Sequence, residues 1–414
     1  MNVLYLSYNG ALEPLGPNQI VIYPIMLTEL GFTFTLVTFE KANDLRDLKR
    51  VQAMRKRLGD KGITWHPLPY HHKPPVISTF IDVLRGYLLV RKLSRQQHFE
   101  IVHIRSYVPL LFGLFLHTHG SRIIFDLRGF WADERVDWGN CQPNSVQYRL
   151  IKRLEHWGLS TADVAVVLSE RAKEHLKSYP VVQQSQLPIE TVVCYVDTQR
   201  FVPNQLVRTA ERERHGWNDQ RILVHAGSLG GLHLVEEIAH CFAAGLRMDP
   251  RLRLLVLSQS DSHVLRKTLD ELHIAAEYWK IEAVAPEDMP QALSSGDLGL
   301  ALIKPTFSKI ASWPTKIGEY LAMGIPILAT RGIGDTEAFL SDHGVGVLVP
   351  ELSAAGCAVG IAQLLNLANH TPNLVDHCRI IALRYLAVTE TGRQRYQAIY
   401  QRVQSTYQHI QEPV

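Results

Sequence analysis

The chain has 414 residues, of which 46% are hydrophobic and 20% charged, and its net charge is +3. This length exceeds one ordinary core and points to two or three domains. The composition is that of a soluble globular protein, and the small net charge argues against nucleic acid as a partner. Five scattered cysteines without a CxxC spacing exclude a disulfide framework and a zinc site, and fit a reducing compartment. The start "MNVLYLSYNG" has no basic leader, and no uncharged apolar run reaches the ~18 residues of a membrane span. The expected location is the cytoplasm.

In chain order, the first strand candidates are "NVLYLSY", "FTFTLVTF", "ITWHPLPY", "IVHIRS", "RIIFDLR" and "DVAVVLS". Helical patterns separate them, among them "NQIVIYPIMLTEL", closed by Gly31, and "SERAKEHLKSY", with Ser169 as its N-cap. Apolar strands alternating with helices predict βα units and a parallel sheet covered on both faces. The basic run "DLRDLKRVQAMRKRLGDK" reads first as a solvated helix face; a weak peripheral contact with the inner face of an anionic membrane is its minority reading. The pattern breaks over residues 188–220, where one short strand precedes polar, irregular sequence. A second series then begins with "RILVHAG", "LRLLVLS", "LGLALI", "IPILAT" and "GVGVLVP". The tail from about Pro372 is helical, and "TGRQRYQAIYQRVQSTYQ" spaces its aromatic residues near the helical period. The fold class is α/β, with two Rossmann-like doubly wound domains facing a cleft. The expected boundaries are residues 1–198 for the first domain and 199–385 for the second, with helices over 386–414 packing back on the first.

In such a pair of sheets, ligands bind beyond the carboxyl ends of the strands, so the loops that follow strands carry the function. "NGALEPLGPNQ" puts Gly16 ahead of Pro17 and the N-terminus of a helix. "AGSLGGLHLVEE", with Gly227 and Ser228, follows a strand and opens a helix. Amides exposed in that turn suit a diphosphate, although it matches neither G-x-x-x-x-G-K-[ST] nor G-x-G-x-x-G, and a plain tight turn is an equal reading. "RGIGDTEAF" reads as a turn with Asp335 capping a helix. "KPTFSKIASWPTK" gathers Lys304, Lys309 and Lys316, with Thr315, in one strand-to-helix connection. Any single lysine there faces solvent by default, but three together favour a nucleotide diphosphate. Pro314 opens the next helix and Gly324 closes it. Glu319 lies about a turn inside, where a carboxylate accepts hydrogen bonds from both hydroxyls of a ribose.

These residues carry a resemblance. "PTKIGEYLAMGIPIL" resembles the donor-site signature of retaining nucleotide-sugar glycosyltransferases of family four, which have the GT-B fold. "YNGALEPLGPNQ", "VHIRSYVP", "FDLRGFWADERV" and "CYVDTQRF" are similar to the other landmarks of one bacterial branch, in the expected order over nearly the whole chain. The resemblance implies that Glu319 is the second of two motif glutamates and holds the donor ribose. The first falls at position 311, which is Ala311 here. Ser228 stands where the family has an arginine and His233 near its lysine, which leaves Lys309 and Lys316 to hold the diphosphate. Gly16, Gly227 and Thr315 complete the expected donor side. Arg128 occupies the place of a histidine found in many relatives, with Asp126 two residues before it, and these two form the expected catalytic pair.

Arg128 suits an anion or an acceptor hydroxyl but cannot act as a base. The retaining mechanism attributed to the family needs no protein base, because the leaving diphosphate takes the acceptor proton and the protein supplies position and charge. In "FWADERVDWG", an amphipathic loop and helix is the bland reading, while Asp133, Glu134 and Asp137 equally suit acceptor hydroxyls. Arg105 and Trp131 join the expected acceptor contacts. His103, inside a strand, reads as packed core.

The chain lacks the D-x-D signature of metal-dependent transferases, so no metal is expected, and no cofactor beyond the nucleoside-diphosphate sugar itself. The implied function is sugar transfer to a glycan or lipid-linked acceptor in cell-surface polysaccharide or glycoconjugate synthesis. Two other classes stay open. A nucleotide-sugar epimerase of the same fold needs a proton-moving pair that the sequence does not display. A non-catalytic sugar-nucleotide or glycan-binding protein is favoured by Ala311. A dehydrogenase is disfavoured because the first βα turn lacks its glycine fingerprint.

Overall fold

A computed structural model describes residues 1–411, with side chains except those of residues 75, 76 and 406–411. Residues 412–414, the end of the expected C-terminal segment, lie outside the described residues. The chain divides into two compact units, residues 1–193 with 392–414, and residues 194–391. Residues 386–391, expected to leave with the tail, belong to the second unit. Their backbone explains this, because Val196 N donates to Leu386 O at 2.9 Å and Val388 N to Val196 O at 3.0 Å.

The first unit holds seven strands: β1 (Asn2–Ser7), β2 (Thr33–Glu40), β3 (Thr64–Pro69), β4 (Ile101–Arg105), β5 (Arg122–Asp126), β6 (Val164–Val167) and β7 (Ile189–Thr191). They pair in the order β3-β2-β1-β4-β5-β6-β7, all parallel. Leu4, Leu6, Leu36, Val102, Ile104, Ile124 and Val166 are fully buried, as both-face coverage of a parallel sheet requires. Strand order reverses between β1 and β4, which makes the loops after them diverge from one point. The β1 loop is organised by the buried Glu40 at the end of β2, which accepts from Ala11 N at 2.7 Å and Leu12 N at 3.0 Å. Gly16 fits this coil closely, since a Cβ there would meet Ala11 O at 2.4 Å.

The C-terminal helix Arg393–Gln411 belongs to this unit. Tyr396 and Tyr400 are fully buried in it: the Tyr396 ring lies tilted 4.5 Å from that of Tyr23, and Tyr400 lies 5.1 Å from Phe32. Arg402 pairs with Glu190 at 2.6 Å.

The second unit holds β8 (Arg221–Ala226), β9 (Leu252–Leu257), β10 (Trp279–Glu282), β11 (Leu298–Ala301), β12 (Ile327–Thr330) and β13 (Gly346–Val349). Their order is β10-β9-β8-β11-β12-β13, again parallel. The edge strand β10 goes unseen in the sequence because "WKIE" is half-exposed throughout and shows no apolar run. The segment read as irregular contains a helix, Gln205–His215. Asn204 caps it by accepting from the Leu206 and Val207 amides, and Arg208 and Arg212 fasten it to Asp297.

The helix Thr315–Ala322 starts after Pro314 and ends at Gly324, whose φ is +76°. Tyr320 secures it to the sheet. Its buried hydroxyl accepts from Ala226 N at 2.7 Å, at the end of β8, and donates to Leu300 O in β11 at 3.3 Å. Gly299 leaves room for the ring, because a Cβ there would stand 2.7 Å from Tyr320 Cδ2. Tyr320→Phe strands the Ala226 amide and should destabilise the second unit by about 1–3 kcal/mol. Gly299→Ala should cost about 1–3 kcal/mol by overpacking. Urea unfolding of both variants checks this; transitions unchanged from the parent would mean that the helix is held by other contacts.

Candidate active site

In the second unit, strand order reverses between β8 and β11. The β8 loop returns beside β11: His233 bridges to Ile303, and Lys304 N donates to Leu232 O at 2.7 Å. The β11 loop then passes Lys309, whose carbonyl accepts from Gly334 N at 2.8 Å, and enters the Thr315–Ala322 helix. His225, Gly227, His233, Lys309, Lys316 and Glu319 thereby meet at the carboxyl end of this sheet.

Lys316 is the centre of the group. It is buried, and among the described residues nothing accepts a hydrogen bond from its ammonium. Its Nζ lies 3.4 Å from where a Cβ on Gly227 would stand, and Gly227 has φ +116°. A side chain there would be strained and would crowd the ammonium. Desolvation lowers Lys316 to about 8, with Glu319 pulling the other way. The same desolvation depresses His225 well below the ordinary histidine range, helped by the Lys316 charge and His233. His233 falls to about 4 through burial and the charges of Lys316 and Lys309. Both imidazoles are neutral near pH 7, and among the described residues the Nδ1 of each has no hydrogen-bond partner. Glu319 keeps partial solvent access, yet the surrounding protein desolvates its carboxyl and raises it to about 6 against the pull of Arg200 and Lys316. The unpaired ammonium at this strand end forms a receptor for a buried anion.

The first unit carries a different cluster. Asp126, at the end of β5, is fully buried and stands opposite Arg105 in the β4–β5 register. It pairs with Arg105 at 3.2 Å and His103 at 3.6 Å. Desolvation tends to raise its carboxyl, but Arg128, His103 and Arg105 together hold it below the usual range. Gln19 Oε1 accepts from Arg105 at 3.0 Å and from Arg128 at 3.4 Å, linking the β1 loop to both guanidiniums. Arg128 has φ +62°, a conformation that non-glycine residues rarely adopt. His103 is buried and donates to or accepts from the Tyr400 hydroxyl at 2.8 Å, so the C-terminal helix reaches this cluster.

Of the expected acceptor residues, Arg105 joins that cluster, while Asp133 is committed elsewhere. Asp133 pairs with Lys152 at 2.7 Å and accepts from the Tyr148 hydroxyl at 2.9 Å. Lys152 also holds Glu155, which accepts from the Tyr107 hydroxyl at 2.6 Å. Trp131 packs 5.6 Å from Tyr107, and Glu134 lies on the Trp131–Asp137 helix, partly exposed. On the donor side, Ser228 and Thr315 flank the Lys316 group, Gly16 shapes the β1 loop of the first unit, and Ala311 is buried without polar function. Sequence reasoning missed Gln19, Glu40, Arg200 and His225. Arg200 stood within "CYVDTQRF", so a signal was there; the others become visible only when loops and strands are brought together. His117 and His119 form an H-x-H pair, but among the described residues no group of three or more His, Cys, Asp or Glu could hold a metal ion. A cavity of about 520 Å³ in the second unit lies at the opposite, strand-starting edge, lined by Arg221, Asp297, Pro326 and Asn373, and is remote from this chemistry.

Residues 26–188 match the glycosyl transferase 4-like domain. Solved structures give the wider likeness. Sucrose-phosphate synthase from Thermosynechococcus elongatus aligns over 98% of this chain and 100% of its own, at 13% identity and a TM-score of 0.73. Anabaena HepE, in complex with UDP, aligns over 97% and 100%, at 13% identity and a TM-score of 0.69. WaaG, a glycosyltransferase involved in lipopolysaccharide biosynthesis, aligns over 95% and 98%, at 13% identity and a TM-score of 0.62. No curated protein matches the chain by sequence. The two parallel α/β sheets and these likenesses define the GT-B fold. The match to the glycosyl transferase 4-like domain spans residues 26–188, and it is the family that the resemblance in the motifs implied.

An ammonium buried without a partner lowers stability until it loses its proton. The penalty is fully present below about pH 8 and fades as pH rises toward the ordinary lysine value of 10.5. Lys316→Met should therefore stabilise the ligand-free protein at pH 7 on the order of 3 kcal/mol, since a tenfold change in proton affinity is ~1.4 kcal/mol. The gain should shrink above pH 8. Thermal unfolding from pH 6 to pH 10 reads this directly, and a destabilised Lys316→Met protein at pH 7 would refute it.

Proposed function

We propose that the chain is a retaining, metal-independent glycosyltransferase that moves a sugar from a nucleoside-diphosphate sugar to a glycan or lipid-linked acceptor. The observation that carries this reading is the buried, unpartnered ammonium of Lys316 beside Gly227, with Glu319 one helical turn away. The second unit takes the donor. Lys316, helped by Lys309 and the amides at the start of the Thr315–Ala322 helix, faces the diphosphate, and Glu319 accepts from the ribose hydroxyls. The cations neutralise the charge that grows on the leaving diphosphate, a task that a divalent ion performs in metal-dependent transferases.

The first unit takes the acceptor. Arg128 binds the incoming hydroxyl or its anionic neighbours, and Asp126 acts on it as a positioning residue. The leaving phosphate oxygen removes the acceptor proton, so no protein base is needed. HepE is described in complexes with UDP and with UDP-glucose, which supports a uridine donor as the first to test. WaaG is described as acting in lipopolysaccharide biosynthesis, which supports cell-surface glycoconjugate assembly as the setting. The buried Ala311, in place of a donor-sugar glutamate, favours one competing reading, a non-catalytic binding protein.

Slow hydrolysis of UDP-glucose without acceptor separates the two. Turnover that survives EDTA and releases sugar of retained configuration is expected; binding without turnover, or an inverted product, would overturn the transferase assignment. Glu319→Gln should weaken donor binding by about tenfold or more, since charged hydrogen bonds contribute ~1.5–3 kcal/mol each. Lys309→Ala should weaken UDP more than uridine.

The pH dependence follows from the same groups. UDP-glucose phosphates stay ionised across this range, so affinity should rise as Glu319 ionises through about pH 6 and fall as Lys316 loses its proton above about pH 8. Calorimetric titration of the parent and of Lys316→Arg tests this. The arginine should remove the alkaline limb, and a flat profile in the parent would sink the assignment of both groups.

A further inference from the structure

The helix Pro75–Gln96 in the first unit turns an apolar stripe to solvent. Ile77, Phe80, Ile81, Leu84 and Leu88 are 58, 67, 38, 47 and 54% exposed. Their spacing of three, four and seven residues puts them on one face. The opposite face is fixed from within. A Cβ on Gly86 would stand 3.0 Å from the Phe112 ring, and Val90 is fully buried. Asp82, also buried, accepts from the Tyr8 hydroxyl at 2.9 Å and from His71 N at 3.0 Å. The stripe is therefore held outward by the packing behind it.

The charge around the stripe has one sign. Toward the C-terminus the same face continues as exposed Arg91, Lys92 and Arg95, with exposed Arg85 on its flank. The only acidic residue of this helix is the buried Asp82. We propose that this helix is a docking surface for an anionic lipid bilayer, lying in the interface with its apolar side chains at the acyl boundary and its cations among the headgroup phosphates. A second copy of the chain is a poorer occupant, because two such helices would bring eight like charges together with no exposed carboxylate of their own to offset them. The basic segment Leu48–Gly59 fits a bilayer less well, since its exposed face offers Leu48 as its large apolar side chain. The surface is argued from the helix itself. Its use, to meet a lipid-linked acceptor, rests on the proposed function.

The test is sedimentation of the full chain with vesicles of phosphatidylethanolamine and phosphatidylglycerol in equal parts, against phosphatidylcholine alone. Binding to the anionic vesicles is expected, with about fivefold loss for each of Arg91→Gln and Lys92→Gln. Phe80→Ser combined with Leu84→Ser should reduce it by about tenfold or more, while circular dichroism and UDP-glucose hydrolysis in solution stay as in the parent. No binding by the parent, or undiminished binding by the serine pair, overturns the proposal. A parent dimer that the serine pair disperses also overturns it and assigns the face to a second copy. Vesicle binding is read without turnover, so a chain inactive on UDP-glucose that still binds these vesicles defeats the transferase reading and leaves this surface standing.

Discussion

The second unit is arranged around a charge that its own protein atoms do not satisfy. A buried ammonium ordinarily finds a carboxylate or several carbonyls, and among the described residues Lys316 has neither within hydrogen-bonding reach. Glu319 acts on it only through space, and is itself displaced upward by desolvation. Such a group can persist only if the fold holds it in place for another reason. Tyr320 supplies that reason, because its hydroxyl ties the helix to the ends of β8 and β11 and carries Lys316 with it. On the proposed function, the stability lost at this point is readiness for an anion.

The first unit treats its buried charges in the opposite way. Asp126 is surrounded by Arg105, Arg128 and His103, and the balance favours its ionised form. Glu40 is satisfied by two backbone amides, although burial still raises its carboxyl. These groups stiffen loops, whereas the Lys316 ammonium is left without a hydrogen-bond partner among the described residues. On the proposed function, this contrast would separate donor from acceptor chemistry: a diphosphate needs an uncompensated positive field, while an incoming hydroxyl needs a guanidinium held in a fixed direction.

Much of this was legible in the sequence. Parallel strands buried on both faces announce themselves as apolar runs, and β1, β2, β8, β9, β11 and β12 do so. Edge strand β10 does not, because its half-exposed residues alternate too briefly. The helix Gln205–His215 is equally hidden, its stability lying in a cap and in two arginines that meet Asp297, 89 and 85 residues later. Glu319 and the lysine group could be read from a turn, a helix start and a helix stop. The burial of Lys316 could not, since a lysine is solvent-facing until a helix is placed against a strand end. Likewise, the pairing of Arg105 with Asp126 depends on the β4–β5 register, which no local pattern encodes.

The departures from the family pattern then acquire a common physical sense. Ser228 leaves the β8 loop without its usual guanidinium, yet Gly227, its neighbour, stands against Lys316 Nζ. Positive charge missing from the loop after β8 returns from the helix after β11, because the switch point brings both elements to one strand end. An anion responds to the field at its phosphates and not to the segment that supplies it. Ala311 is itself buried and brings no carboxylate. On the proposed function, the fold keeps positive charge toward the diphosphate while leaving the sugar itself with one carboxylate fewer, and discrimination between sugars would fall to groups other than that glutamate.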